Sequence, residues 1–323
     1  MKIYARNILS GLATAIALSA VASVNAENYP SRDITFIVPY GPGGSTDPIS
    51  RQFTSQLEKL LNGNINVENK PGGTATIGTG IVVRAKADGY TIGLGSNGSL
   101  TYQPQINSGL AYKTPDDYQP LVKLVDQPAI LFVRADAPWK TFEEFMADAK
   151  KHPGKLRVST SGSGSTNDLV VKQLNKVAGV KIPTVPFTGG GGEATVALLG
   201  GRVEGSVGYA ASALGFVQSG KARVLAVFKK GKYDLFPDAT PVGDKYDATL
   251  PAAYYALAPK GLPKDILEKL VAASQKVVRS DEYIKFAKAN GYVVDPKGPE
   301  EVRAELVQYG KTFAELITFI NQK

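Results

Sequence analysis

The chain has 323 residues, no cysteine, one histidine, and 37 basic against 29 acidic residues, for a formal net charge of +8. Without cysteine there is no disulfide, thiol nucleophile or thiolate metal site, and a lone His152 in the polar turn Lys150-Lys-His-Pro-Gly-Lys155 leaves no triad, dyad or His-rich zinc site to build. The positive charge is dispersed, without a basic block or an aromatic-interleaved basic stripe, so it reads as a solvated surface mildly attractive to anions and no nucleic-acid partner is expected.

Lys2 and Arg6, the apolar run 8–24 and the small-residue triplet Val24-Asn25-Ala26 read as a secretory signal cleaved after Ala26. No later segment approaches a membrane span, so a soluble, exported mature chain is expected from Glu27. The remainder is long enough for two domains that bury their own cores.

Short β-branched runs then alternate with amphipathic segments, the pattern of an α/β fold with mainly parallel strands. Ile34–Val38 is a strand; Thr46 or Asp47 caps a helix with Pro48 at its first position and Ile49, Phe53, Leu57 and Leu60 on one face. Residues 65–67 form a strand, a helix runs to about Ala87, and residues 90–94 form the next strand. After Pro128 a second unit opens with a strand at 129–133. It continues through a helix at 142–150, a strand at 156–159, a helix at 168–178 and a strand at 184–185. A helix ending near Leu199-Gly-Gly201 follows, then strands at 203–207 and 222–227. A strand at 254–258 and helices at 264–279 and 300–320 close the chain. The spacing therefore predicts an inserted lobe, 128–228, flanked by a discontinuous one, 27–127 plus 229–323. The hinges would lie near Gln127-Pro128 and Phe228-Lys229.

Four Gly/Ser/Thr loops stand after apolar runs, where a ligand would sit at the carboxyl ends of strands. Glycine lets backbone N–H groups approach a ligand, and a helix N-terminus offers unpaired donors and partial positive charge. The candidate ligand contacts are Tyr40, Gly43, Gly44, Ser45, Thr46 and Asp47 in the first loop and Ser96, Asn97 and Ser99 in the second. The third loop adds Ser161, Ser163, Ser165, Thr166 and Asn167, the fourth adds Phe187, Thr188, Gly189 and Gly190, and Tyr209 stands nearby. None of the loops holds Arg or Lys. Asp47 reads first as a helix cap, and the aromatics Tyr40, Tyr102, Phe187 and Tyr209 either wall the crevice or pack beside it.

Three tempting motifs fail. Gly93-Leu-Gly-Ser-Asn-Gly98 matches a dinucleotide fingerprint, but Pro104 interrupts the helix that should follow. In Gly215-Phe-Val-Gln-Ser-Gly-Lys221 the next residue is Ala222 where a P-loop needs Ser or Thr, and the order runs from helix into strand. Ser161, Ser163 and Ser165 have no nucleophile elbow and no histidine base. No catalytic residue, metal site or cofactor is expected.

Val67-Glu-Asn-Lys-Pro-Gly-Gly73 followed by Ala87-Asp-Gly-Tyr-Thr91 resembles the signature of the Bug family, the TctC-type periplasmic receptors of tripartite tricarboxylate transporters. Val38–Asp47, Val185-Pro-Phe-Thr-Gly-Gly190, Leu198–Glu204, Phe236-Pro-Asp-Ala239 and Ala258-Pro-Lys-Gly-Leu-Pro263 resemble further family motifs in the expected order. The resemblance implies a two-lobed, type II periplasmic binding protein, each lobe a helix-flanked sheet. It implies a monomer that closes on a small di- or tricarboxylate in the interlobe crevice and delivers it to a tripartite tricarboxylate-type permease. Two departures stand out: Gly208-Tyr209 occupies the place of a frequent Asp-Asn pair, and Asn167 or Asp168 the place of a frequent histidine. Both concern the ligand's far end and favour an aromatic or longer dicarboxylate. A phosphate or sulfonate receptor and a ligand sensor docking on a signalling partner remain alternatives. A periplasmic hydrolase is disfavoured by the lack of a base.

Overall fold

The computed structural model describes residues 29–321; the leader and its cleavage site lie outside them. The first lobe opens with β1 (Ile34–Val38), α1 (Thr46–Leu61), β2 (Ile65–Asn69), α2 (Thr76–Arg84) and β3 (Thr91–Ser96). A π-helical turn at 98–102, α3 (Gln103–Ile106) and β4 (Tyr118–Gln127) follow. The second lobe begins with β5 (Ala129–Arg134), α4 (Phe142–Lys151), β6 (Val158–Thr160), α5 (Thr166–Ala178) and β7 (Thr184–Pro186). It continues through α6 (Gly191–Leu199), β8 (Gly205–Tyr209), α7 (Ala210–Gln218), β9 (Ala222–Val227) and β10 (Thr240–Pro241). β11 (Ala252–Pro259), α8 (Lys264–Val278), α9 (Asp281–Ala289) and α10 (Pro299–Asn321) complete the chain.

Two sheets carry these elements. One has the order β2-β1-β3-β11-β4 and the other β10-β9-β5-β8-β6-β7. Both are mixed: β1 pairs in parallel with β2 and β3, and β6 with β7 and β8, whereas β11 and β5 run antiparallel to their neighbours. The parallel strands deliver their carboxyl ends, and hence the Gly/Ser loops, to the crevice between the sheets.

The helices form where apolar spacing and end chemistry agree. In α1, Ile49, Phe53 and Leu57 are fully buried, each burial being worth about 1.5–3 kcal/mol. Left-handed Asn62 ends the helix by donating its N–H to the Glu58 carbonyl. Leu60, expected on that face, is 46 % exposed, and Leu61 is buried instead. In α4 a capping box joins Thr141 and Glu144, and acidic and basic residues stand at the ends that match the helix dipole.

Several sequence expectations change. Neither Thr46 nor Asp47 caps α1: Ser45 holds the N-cap position without a side-chain cap bond, and Pro48 is the third helical residue. β4 and α9 were not expected. β4 is disguised by Pro120, Lys123 and Asp126, residues ordinarily depleted from strand interiors. Lys123 is fully buried there because Asp126, Glu305 and Asp295 surround its ammonium at 2.7, 2.8 and 3.1 Å. The second crossing between sheets also falls later than 228/229. Parallel pairing of β10 with β9 keeps the chain on the second sheet to Pro241, and it rejoins the first only at Ala252.

Candidate functional site

The two lobes touch across the crevice. The Gly41 N–H donates to the Gly189 carbonyl at 3.2 Å, and the Ser163 carbonyl accepts from Thr74 Oγ1 at 2.9 Å and Gln103 Nε2 at 3.3 Å. Thr166 Oγ1 bonds Asn97 Oδ1 at 3.2 Å, and Tyr102 and Phe313 pack beside Leu169 of α5. These contacts narrow the crevice to a tight chamber of about 20 Å³.

Tyr40, Gly44, Ser45, Thr46 and Ser96 line it from the first lobe, joined by Ala252 and Tyr254 of β11. The second lobe contributes Ser161, Ser165, Thr166, Asn167, Gly191 and Tyr209. Four helices start at this wall: α1 at Thr46, α5 at Thr166, α6 at Gly191 and α7 after Tyr209. None has a side-chain cap bond at its N-cap, so no capping side chain competes for the first-turn N–H groups, of which Pro48 in α1 has none. Each helix dipole is worth about 0.3–1 kcal/mol to a bound anion. No charged side chain lines the chamber among the described residues.

The hydroxyls are held in a defined array. Ser96 Oγ lies 3.3 Å from the Tyr40 phenol and 3.2 Å from Ser99 Oγ, and it accepts the Ser99 N–H at 3.1 Å. Asn167 donates to Ser161 Oγ at 3.2 Å and accepts from Ser165 Oγ at 2.7 Å. Thr46 Oγ1 is buried in the wall with no protein partner. Burial pushes the phenols of Tyr40, Tyr209 and Tyr254 up, so each stays a neutral hydrogen-bond donor at physiological pH.

Ten of the expected contacts therefore reach the chamber: Tyr40, Gly44, Ser45, Thr46, Ser96, Ser161, Ser165, Thr166, Asn167 and Tyr209. The others stand behind or beside the wall. Asn97 is turned to the framework, accepting the N–H of Gly98 at 3.0 Å and of Ala253 at 3.2 Å and donating to the Pro251 carbonyl at 3.1 Å. Ser99 supports Ser96. Asp47 accepts from Arg51 at 3.0 Å and Asn69 at 3.0 Å, and Asn69 in turn fixes the Tyr40 carbonyl at 2.9 Å. Gly43 is an exposed turn residue with φ +76°, and Ser163 and Thr188 point to solvent. Phe187, Gly189 and Gly190 shape the turn before α6; Gly189 makes one of the lobe-to-lobe contacts. His152 bonds Asp148 at 2.6 Å at the end of α4, outside the chamber.

Gly191, Ala252 and Tyr254 were missed. Gly191 belongs to the tetraglycine run, so its loop was legible. Tyr254 arrives by antiparallel pairing that sets it opposite Ser96, a long-range register that local patterning does not encode.

A crevice between two lobes, lined with helix N-termini and hydroxyls, is the architecture of a solute-binding protein. Residues 49–309 match the tripartite tricarboxylate transporter family receptor, TctC. A UPF0065 protein of Bordetella pertussis is 31 % identical over 296 residues, 91 % of this chain and 90 % of its own length. The periplasmic binding protein BugD superposes with a TM-score of 0.81 at 28 % identity, covering 90 % of this chain and 98 % of BugD. MatC from Rhodopseudomonas palustris with bound malate superposes with a TM-score of 0.81 at 25 % identity, covering 90 % of this chain and 100 % of MatC. This chain belongs to the TctC family of tripartite tricarboxylate transporter receptors.

Proposed function

We propose that this protein is a periplasmic, monomeric receptor that closes on a short dicarboxylate and delivers it to a tripartite tricarboxylate-type permease. The observation that carries the reading is the convergence of four uncapped helix N-termini on a closed chamber with no charged side chain. Such a wall satisfies carboxylate oxygens with N–H and O–H donors and asks for no counter-ion. The unpaired Thr46 hydroxyl gives it one further donor. The malate held by MatC supports a four-carbon acid over the aromatic or longer acid that Gly208-Tyr209 evoked. Closure would turn on Gln127-Pro128 and on the return between Pro241 and Ala252, where the chain changes sheets.

Denatured and refolded mature protein, freed of carried-over ligand, is the material for the test. Thermal unfolding is followed with mono-, di-, tri- and aromatic carboxylates, phosphate and a sulfonate. At 100 times its dissociation constant a ligand adds about 2.7 kcal/mol, a shift of several degrees. Stabilisation by malate or succinate is the expected result. Response to phosphate or a sulfonate alone would replace the ligand class, and silence from all of them would sink the receptor reading.

A further inference from the structure

We infer that Leu169 of α5, Phe313 of α10 and Tyr102 of the π-helical turn form an apolar latch outside the chamber. The latch holds the two lobes together and so sets ligand affinity without touching the ligand. The inference rests on the receptor reading above, because a latch matters only in a protein whose lobes part and close.

Leu169 stands in the first turns of α5, two residues beyond Asn167 of the chamber wall. Val170, Val171 and Leu174 of the same helix belong to the core cluster that holds Val158 of β6 and Val207 of β8. Leu169 does not. It is fully buried in a separate cluster with Tyr102 and Phe313, and among the described residues it is the only member from the second lobe. The last turns of α10 set Tyr309, Phe313, Leu316, Ile317 and Ile320 at helical spacing, and that face packs on the cluster. Tyr102 and Phe313 meet edge to face with centroids 5.6 Å apart, and Tyr309 stacks on Phe313 at 6.1 Å. The loop before α5 closes on the same ring. Gly164, at φ +71°, leaves no room for a Cβ against the Tyr102 edge, and the Gln103 amide donates to the Ser163 carbonyl at 3.3 Å.

Leu169 is thus a second-lobe side chain that owes its burial to the first lobe, and parting the lobes wets it together with the two rings. None of the three side chains lines the chamber. Apolar burial gained only on closure stabilises the closed state whether or not a ligand is bound. The apparent dissociation constant varies inversely with the closed fraction, so loosening the latch weakens every ligand by the same factor. Leu250, in the return between Pro241 and Ala252, packs on the same cluster, so the latch and one of the two crossings between sheets share a packing surface.

Titration calorimetry with malate and succinate on wild type, Leu169→Ala and Phe313→Leu tests the latch. Leu169→Ala should bind both acids roughly tenfold more weakly, by one factor for the two, since no ligand contact changes. Phe313→Leu, which keeps a large apolar side chain in α10, should act in the same direction and serves if the alanine variant does not fold. The chain has no cysteine, so Leu169→Cys and Val170→Cys each carry a single thiol whose labelling by a maleimide reads opening without any acid. The thiol at 169 should react roughly tenfold faster than the one at 170, whose cover lies within its own lobe, and saturating malate should slow it. Wild-type affinity in both Leu169→Ala and Phe313→Leu, or equal labelling of the two thiols, overturns the latch. A loss confined to one acid overturns it too, because that would be a ligand contact. If the wild type binds neither acid while the thiol at 169 is the faster to react, the receptor reading falls and the latch stands.

Discussion

Replacing Gly41 by alanine places a methyl group 2.5 Å from the Gly189 carbonyl oxygen of the opposite lobe. Restoring an ordinary 3.4 Å contact means parting the two loops by roughly 0.9 Å, which forfeits the 3.2 Å Gly41–Gly189 hydrogen bond. Crowding of this kind costs about 1–3 kcal/mol and the bond about 0.5–1.5 kcal/mol. Because the clash exists only when the lobes meet, the sum of about 2–4 kcal/mol falls on the closed state alone. Ligand affinity should then drop roughly 30-fold to nearly 1,000-fold. Gly41 has no left-handed φ, so the ligand-free protein should unfold no earlier than wild type. Gly43→Ala is the control: its φ of +76° strains the turn, but a Cβ there meets nothing within 4 Å, so closure is not blocked. Calorimetry with malate measures affinity, and small-angle scattering with and without ligand measures closure. Wild-type affinity in Gly41→Ala would refute the view that binding requires the lobe contact described above.

Four further outcomes follow from the same geometry. Thr46→Val should weaken carboxylate binding by about 1–2 kcal/mol, read by calorimetry, without lowering the ligand-free melting temperature, since the hydroxyl has no protein partner to lose. Asn97→Ala leaves the N–H groups of Gly98 and Ala253 and the Thr166 hydroxyl unpaired and should cost about 2–4 kcal/mol of stability in urea unfolding. Lys123→Met strands Asp126 without its ammonium, while Glu305 keeps Lys297 at 2.9 Å, and should cost about 3–5 kcal/mol in the same assay. Affinity for a fully ionised dicarboxylate should be flat from about pH 6 to 9, because burial raises the phenol pKa values and no other chamber side chain titrates there; a step in that window would mean an ionisable group has been overlooked.

What the sequence determined by itself was whatever neighbouring residues dictate to one another. β-branched runs made strands, Ile49, Phe53 and Leu57 spaced a helix, and Gly/Ser/Thr clusters marked the strand ends where an anion would be met. Exclusion of thiol and histidine chemistry needed only composition. Resemblance in ordered motifs carried the family, and the match over residues 49–309 agrees. Tertiary structure decided everything that depends on distant residues sharing a charge, a register or a wall. Lys123 sits inside a strand only because Asp295 and Glu305, far along the chain, neutralise it. Asn97 faces the framework because Ala253 and Thr166 come to it from other segments. Tyr254 joins the site because β11 returns antiparallel and pairs it with Ser96. Local preference operates over a few residues of chain, whereas burial and hydrogen-bond satisfaction operate over ångströms of space, and a binding crevice is assembled by the second.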